Sequence, residues 1–131
     1  MNDIRKYKIL IVDDEETLRD ALVFDFKRRG FTVFSAENAA KAFGIVEENS
    51  PDIVISDIRM PGGNGLSLLK KIRERDPDVP VVMFITGFAD ATEAECLEKG
   101  VKKVITKPFD RKVLLEAVYE ALGIPLPARA A

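Results

Sequence analysis

The sequence predicts a doubly wound α/β domain with five parallel strands in the order 2-1-3-4-5. Three observations predict it. Short apolar runs near residues 8–12, 31–35, 52–56, 80–85 and 103–106 alternate with segments whose apolar residues recur at helical spacing. Several of the runs are apolar throughout, as strands covered on both faces are. Turn residues separate the segments, and regular strand–helix alternation requires right-handed crossovers between parallel strands.

The elements follow in order. Lys8-Ile9-Leu10-Ile11-Val12 is the first strand, and Leu18, Ala21, Leu22 and Phe26 line one face of the helix after it. Gly30 stands where a glycine would end that helix. The second strand leads to Asn38, an N-cap candidate, and to a helix face of Ala42, Ile45 and Val46. Asp52-Ile53-Val54-Ile55-Ser56-Asp57 is the third strand, followed by a helix marked by Leu66, Leu69 and Ile72. After the fourth strand, Asp90 with Glu93 resembles a capping box, with Ala94, Cys96 and Leu97 on the helix face and Gly100 at its end. The fifth strand, Val104-Ile105-Thr106, precedes a helix bearing Val113, Leu114, Ala117, Val118 and Leu122 and closed by Gly123. Residues 1–123 form one domain on this reading, and 124–131 form a tail or the start of a linker to a further domain.

Composition narrows the chemistry. The chain has 131 residues, 47% hydrophobic and 32% charged, with a net charge of −2. That balance gives no global electrostatic case for binding nucleic acid or a membrane surface. No apolar stretch approaches a membrane span, and the first residues lack the apolar core of a signal peptide. One cysteine, Cys96, excludes an internal disulfide and fits a reducing, cytoplasmic compartment. It sits at helical spacing with Leu97, as a core residue would. There is no histidine, which removes histidine-based triads and histidine metal sites.

What remains is acidic. Asp13 and Asp14 end the first strand, Asp57 ends the third, and Lys107 stands before Pro108 at the end of the fifth. With this strand order the direction of winding reverses between strands 1 and 3, and ligands bind at the carboxyl ends beside that reversal. Any one of these acids alone reads equally well as a helix cap or a turn residue. Three carboxylates converging there would repel unless a cation and the lysine offset them. A hard divalent ion such as Mg²⁺ beside a phosphoryl group answers that need, with Asp57 as an oxygen nucleophile.

At this point the residues resemble a known family. Asp13-Asp14-Glu15, the stretch from Asp57 through Met60-Pro61-Gly62-Gly63-Asn64-Gly65, and Lys107-Pro108-Phe109 are similar to the receiver domain of two-component response regulators, the CheY-like family. The resemblance spans about residues 6–122. It implies a flavodoxin-like (βα)5 fold and a phosphoryl-accepting aspartate at Asp57. It implies Mg²⁺ held by Asp13, through water, and Asp14, directly, with Asp57 and the backbone carbonyl of Arg59. It implies a phosphate-pairing lysine at Lys107, joined to Pro108 by a cis peptide. The partners implied are a histidine kinase or a histidine phosphotransfer protein and an output partner or domain, with a phosphorylation-dependent homodimer as a further consequence. The chain is then a switch that gains and loses its own phosphoryl group, not an enzyme.

Two departures qualify the resemblance. The family has Ser or Thr at the end of its fourth strand. Thr86-Gly87-Phe88 resembles that motif, yet family spacing counted from either Asp57 or Lys107 lands on Ile85. Either Ile85 occupies the switch position, or a bulge in the strand brings Thr86 there. Three residues before the lysine the family usually has an aromatic; here it is Val104. These departures favour an alternative, a phosphorylation-independent interaction module of the same fold. An acid-nucleophile phosphatase is disfavoured, because Arg59 stands where such enzymes carry a second aspartate. Lys27-Arg28-Arg29 and the neighbouring Val23 and Phe24 suit a partner-facing surface or simply the end of a helix.

Overall fold

A computed structural model of the chain describes residues 4–60, 63–87 and 93–126. A 3-10 turn at Ile4–Lys6 leads into β1 (Lys8–Val12), α1 (Glu16–Arg28), β2 (Thr32–Ala36), α2 (Ala39–Asn49) and β3 (Ile53–Asp57). A two-residue antiparallel pair, β4 (Arg59–Met60) and β5 (Gly63–Asn64), precedes α3 (Gly65–Arg75). Then come β6 (Val81–Thr86), α4 (Glu93–Glu98), β7 (Lys103–Thr106) and α5 (Arg111–Leu122). The main sheet runs β2-β1-β3-β6-β7, with every neighbouring pair parallel. Setting the short β4–β5 pair aside, this is the expected order 2-1-3-4-5 in a flavodoxin-like fold.

The apolar runs are explained by two cores, one on each face of the sheet. Ile9, Ile11, Ile53, Ile55, Met83 and Ile85 pack with Leu22 and Phe26 of α1 and Leu114 and Val118 of α5. The alternate residues, Leu10, Val12, Val54, Val82 and Phe84, pack with Ala42, Val46, Leu69, Ile72 and Cys96 from α2, α3 and α4. Successive strand side chains point to opposite faces, so a strand covered twice must be apolar at every position.

Local signals set the helix ends. Asn38 accepts a bond from Lys41 N at 2.9 Å and caps α2. Asn64 and Ser67 form a capping box on α3, and Asp110 caps α5. Gly30, Gly100 and Gly123 all take positive φ after helices, at 102°, 98° and 69°. Asp90 of the expected capping box lies outside the described residues.

Two side chains read on the helical stripes face outward. Leu97 and Val113 are exposed, at 43% and 47%. Cys96 and Leu114 take the core positions instead, and a neighbour one residue away on a helix is turned about 100° from them. Phe24 is 62% exposed on α1. At the other end, Ile124, assigned above to the tail, is buried in the α1–α5 core.

Candidate functional site

Asp13 leaves the end of β1 and is fully buried. Its backbone N–H bonds Ala36 O at 3.2 Å, its carbonyl accepts from Arg19 Nη1 at 2.8 Å, and its Oδ1 accepts the Glu15 N–H at 2.8 Å. Backbone and side chain are thus fixed together. Asp14 is exposed beside it, and the N-cap of α1 falls on Glu15, which makes no side-chain cap bond. Asp57, 7% exposed, ends β3. Its Oδ1 lies 3.3 Å from the Arg59 N–H, which holds the Arg59 backbone beside the pocket.

Lys107 joins the two strand ends. Its Nζ lies 2.9 Å from Asp57 Oδ2 and 3.3 Å from Asp13 Oδ2. The Lys107 N–H bonds Thr86 O at 2.8 Å, which docks the turn after β7 onto the end of β6. The Lys107–Pro108 peptide is cis, as the resemblance implies; Val79–Pro80 is cis as well, which nothing in the sequence reading anticipated.

Burial pushes the Asp13 carboxyl above its ordinary range. The Glu15 N–H and the charge of Lys107 oppose that rise, and the charge of Asp57 adds to it. For Lys107 burial acts downward, but the bond to Asp57 and the charges of both aspartates outweigh it and raise the ammonium above its usual value. Among the described residues, the pocket therefore holds three carboxyl groups against the one ammonium of Lys107.

That excess is what a cation site provides. One oxygen each from Asp13, Asp14 and Asp57 lies within 4.8 Å of the others. Ligands across an octahedral Mg²⁺ stand about 4.2 Å apart and adjacent ones closer, so small side-chain adjustments suffice. The donors are all hard oxygens, and the fit is to Mg²⁺ rather than to a soft metal.

The strand ladders bear on Ile85 and Thr86. β6 pairs with β3 without interruption from Ile53↔Val81 to Asp57↔Ile85, and with β7 from Met83↔Lys103 to Thr86↔Thr106. These ladders contain no bulge. Ile85 is fully buried in the α1–α5 core, level with Asp57. Thr86 is the next residue, buried at the carboxyl end of β6 beside the Lys107 backbone. Val104 is half-buried at the edge of the opposite core.

Two structural roles were not read in the sequence. Gly65 opens α3 directly behind Asp57: its N–H bonds Ile58 O at 2.7 Å, and a Cβ there would lie 2.5 Å from Asp57 O and 3.1 Å from Ile58 Cα. Only glycine permits that approach. The Asn64-Gly65-Leu66-Ser67 stretch carried the signal, a capping asparagine with a hydroxyl three residues on. Arg19 holds the Asp13 carbonyl through a contact that no sequence spacing advertises.

A doubly wound domain with acids at two strand ends, a lysine bridging them and room for a hard cation defines a class of phosphoryl-switch proteins. The chain matches the family model "Response regulator receiver domain" over residues 9–119, and it belongs to that family. Solved structures agree. A two-component response regulator from Clostridium difficile superposes with a TM-score of 0.83 at 25% identity, covering 90% of this chain and 97% of that one. The receiver domain of HemR from Leptospira biflexa gives 0.83 at 30% identity, with 95% and 100% covered. The response regulator TrrA from Thermotoga maritima, solved in complex with Mg²⁺–BeF, gives 0.78 at 28% identity, with 88% and 98% covered. Receiver domains are generally switches rather than catalytic enzymes. No helix among the described residues is long and apolar enough to cross a membrane.

Proposed function

We propose that this domain accepts a phosphoryl group on Asp57 from a histidine kinase or a histidine phosphotransfer protein, and changes its partner surface in response. The observation that carries the reading is the convergence of Asp13, Asp14 and Asp57 within 4.8 Å, with Lys107 Nζ 2.9 Å from Asp57. A carboxylate oxygen of Asp57 attacks phosphorus, the donor's N–P bond breaks, and the imidazole leaves neutral, keeping the proton on its other nitrogen. Lys107 then pairs with a phosphoryl oxygen, a charge-assisted bond of the kind it now makes to Asp57. Asp13, Asp14, Asp57 and the Arg59 carbonyl would hold Mg²⁺, which supplies positive charge against the phosphoryl oxygens when bound. With β6 unbulged, Ile85 stands level with Asp57, and Thr86, the next residue at the strand's end, would meet the phosphoryl group through a local rearrangement there. Residues 1–123 act as the receiver, with Ile124 packed into its core. A phosphohistidine donor made with ATP places the protein in the cytoplasm. The output partner or domain follows the phosphorylated surface, with self-association as one form of it.

A second reading, an interaction module that works without phosphorylation, is favoured by Val104 in the place of a ring and by Ile85 committed to the core. The test separates the two. The protein is incubated with acetyl phosphate or phosphoramidate and Mg²⁺, and its intact mass is measured. A single phosphoryl adduct that Asp57→Asn abolishes is the expected result. No adduct on the wild-type chain, or equal labelling of the variant, overturns the assignment.

A further inference from the structure

Away from the acidic pocket, a groove of about 610 Å³ runs along α3 beside the turn that closes α4. Half-buried Leu66 gives it an apolar floor, with the core residue Leu69 just beneath at 2% exposure, and Lys70, Arg73 and Lys99 stand around it with Glu74 as the one acid of its lining. Arg73 is unusual there. Its Nη2 reaches Gly100 O at 3.3 Å, a long contact for an N–H donor. Its Nε and Nη1 are buried and have no hydrogen-bond partner among the described residues. The nearby Asp76 does not supply one: its Oδ1 accepts from Asp78 N at 2.8 Å and Val79 N at 2.9 Å. Leaving buried donors of a charged group unmet is costly, and a carboxylate satisfies a guanidinium with two parallel bonds.

We propose that this groove docks an acidic segment of a partner protein, with an apolar residue on the Leu66–Leu69 floor and a carboxylate on Arg73, flanked by Lys70 and Lys99. Charge complementarity argues for that occupant: Lys70, Arg73 and Lys99 line the strip against Glu74, while Asp76 and Asp78, which also act on Arg73, stand outside the lining. Shape argues the same way. From Leu66 to Glu74 the strip follows about 12 Å of helix, two turns, which suits a short amphipathic helix laid alongside. The weak bond to Gly100 is the only one Arg73 gives up in turning toward such a partner, among the described residues. The site shares no residue with the acidic pocket, so it stands or falls separately from phosphorylation.

The test uses the full chain, ¹⁵N-labelled, and two capped twelve-residue peptides with leucines at helical spacing, one carrying glutamates elsewhere and the other lysines. The glutamate peptide should bind saturably, shift amides of 66–74 and 99–101, and move the Arg73 Nε–H signal. Lys70→Glu with Lys99→Glu should weaken it at least tenfold while the spectrum elsewhere stays that of the wild type. Arg73→Met should weaken it as well. Equal binding of the lysine peptide, shifts confined to other surfaces, no saturation at millimolar peptide, or indifference to the double charge reversal would each overturn the proposal.

Discussion

Asp13→Asn should make the metal-free protein more stable at neutral pH. Asp13 is fully buried, with Asp57 within 4.8 Å and Lys107 at 3.3 Å. At an effective dielectric of about 20 the repulsion from Asp57 is at least about 3.5 kcal/mol and the attraction to Lys107 about 5 kcal/mol. Asp14 adds roughly 1 kcal/mol of repulsion, reduced by its exposure. The charges therefore nearly cancel, and burial decides the sign. Desolvating a carboxylate costs several kcal/mol, of which the Glu15 N–H bond offsets about 1.5–3 kcal/mol. Asparagine keeps an oxygen for that N–H and removes the charge but turns its NH2 toward Lys107 Nζ, where Oδ2 now accepts, so a gain of at most about 1–2 kcal/mol is expected. For 131 residues that raises Tm by about 4–7 °C.

The pH dependence follows from the raised carboxyl of Asp13. Its protonated form is compatible with the fold, so stability from this group is present at low pH and lost as pH rises from the ordinary carboxylate range through the raised value. The advantage of the variant should be larger at pH 7.5 than at pH 4, shrinking as falling pH protonates Asp13. The assay is thermal unfolding in EDTA across that range, repeated with Mg²⁺. Mg²⁺ at ten times its Kd should stabilise the wild type by about 1.4 kcal/mol and the variant by much less. A variant that melts at or below the wild type in EDTA at neutral pH, or whose advantage is unchanged at pH 4, would refute the reasoning.

Asp14→Ala should weaken Mg²⁺ binding and slow phosphorylation together, measured by metal titration and intact mass; unchanged metal affinity would make Asp14 a bystander. Lys107→Ala should still accept phosphate but couple it poorly to partner affinity, and the wild-type stability contributed by this raised ammonium should be lost only as pH climbs through and above the ordinary lysine range. Gly65→Ala forces a Cβ to within 2.5 Å of the Asp57 carbonyl, so it should cost about 1–3 kcal/mol in urea unfolding and slow phosphorylation; a neutral result would show that α3 can retreat. Beryllofluoride with Mg²⁺ should move the amides of Thr86 and its loop more than those of β7, because Val104 has no ring to swing; large shifts across β7 and α5 that survive Thr86→Ala would show another route of coupling.

The sequence by itself determined the architecture and the pocket's members. A strand covered twice has to be apolar throughout, and a helix on one face has to repeat its apolar residues at 3.6, so the type and number of the main elements were legible, though not the short β4–β5 pair. Strand order followed from connectivity, and the order brought Asp13, Asp57 and Lys107 to one edge. Where strands begin was decided by tertiary contacts. Phe31 bonds Phe26 O and so closes α1 instead of opening β2, and Pro80 has no N–H to give a ladder, leaving Val81 N to bond Asp52 O. Which residue of a helix faces out was decided the same way, as Leu97 and Val113 show beside Cys96 and Leu114. The closeness of Gly65 to Asp57 and the hold of Arg19 on Asp13 depend on atoms far from the local pattern, and an aliphatic Ile85 beside a buried Thr86 could be placed only by the ladders. Periodicity records which side of an element is dry; it carries no distance between elements, and it is those distances that turn three acids and a lysine into a site.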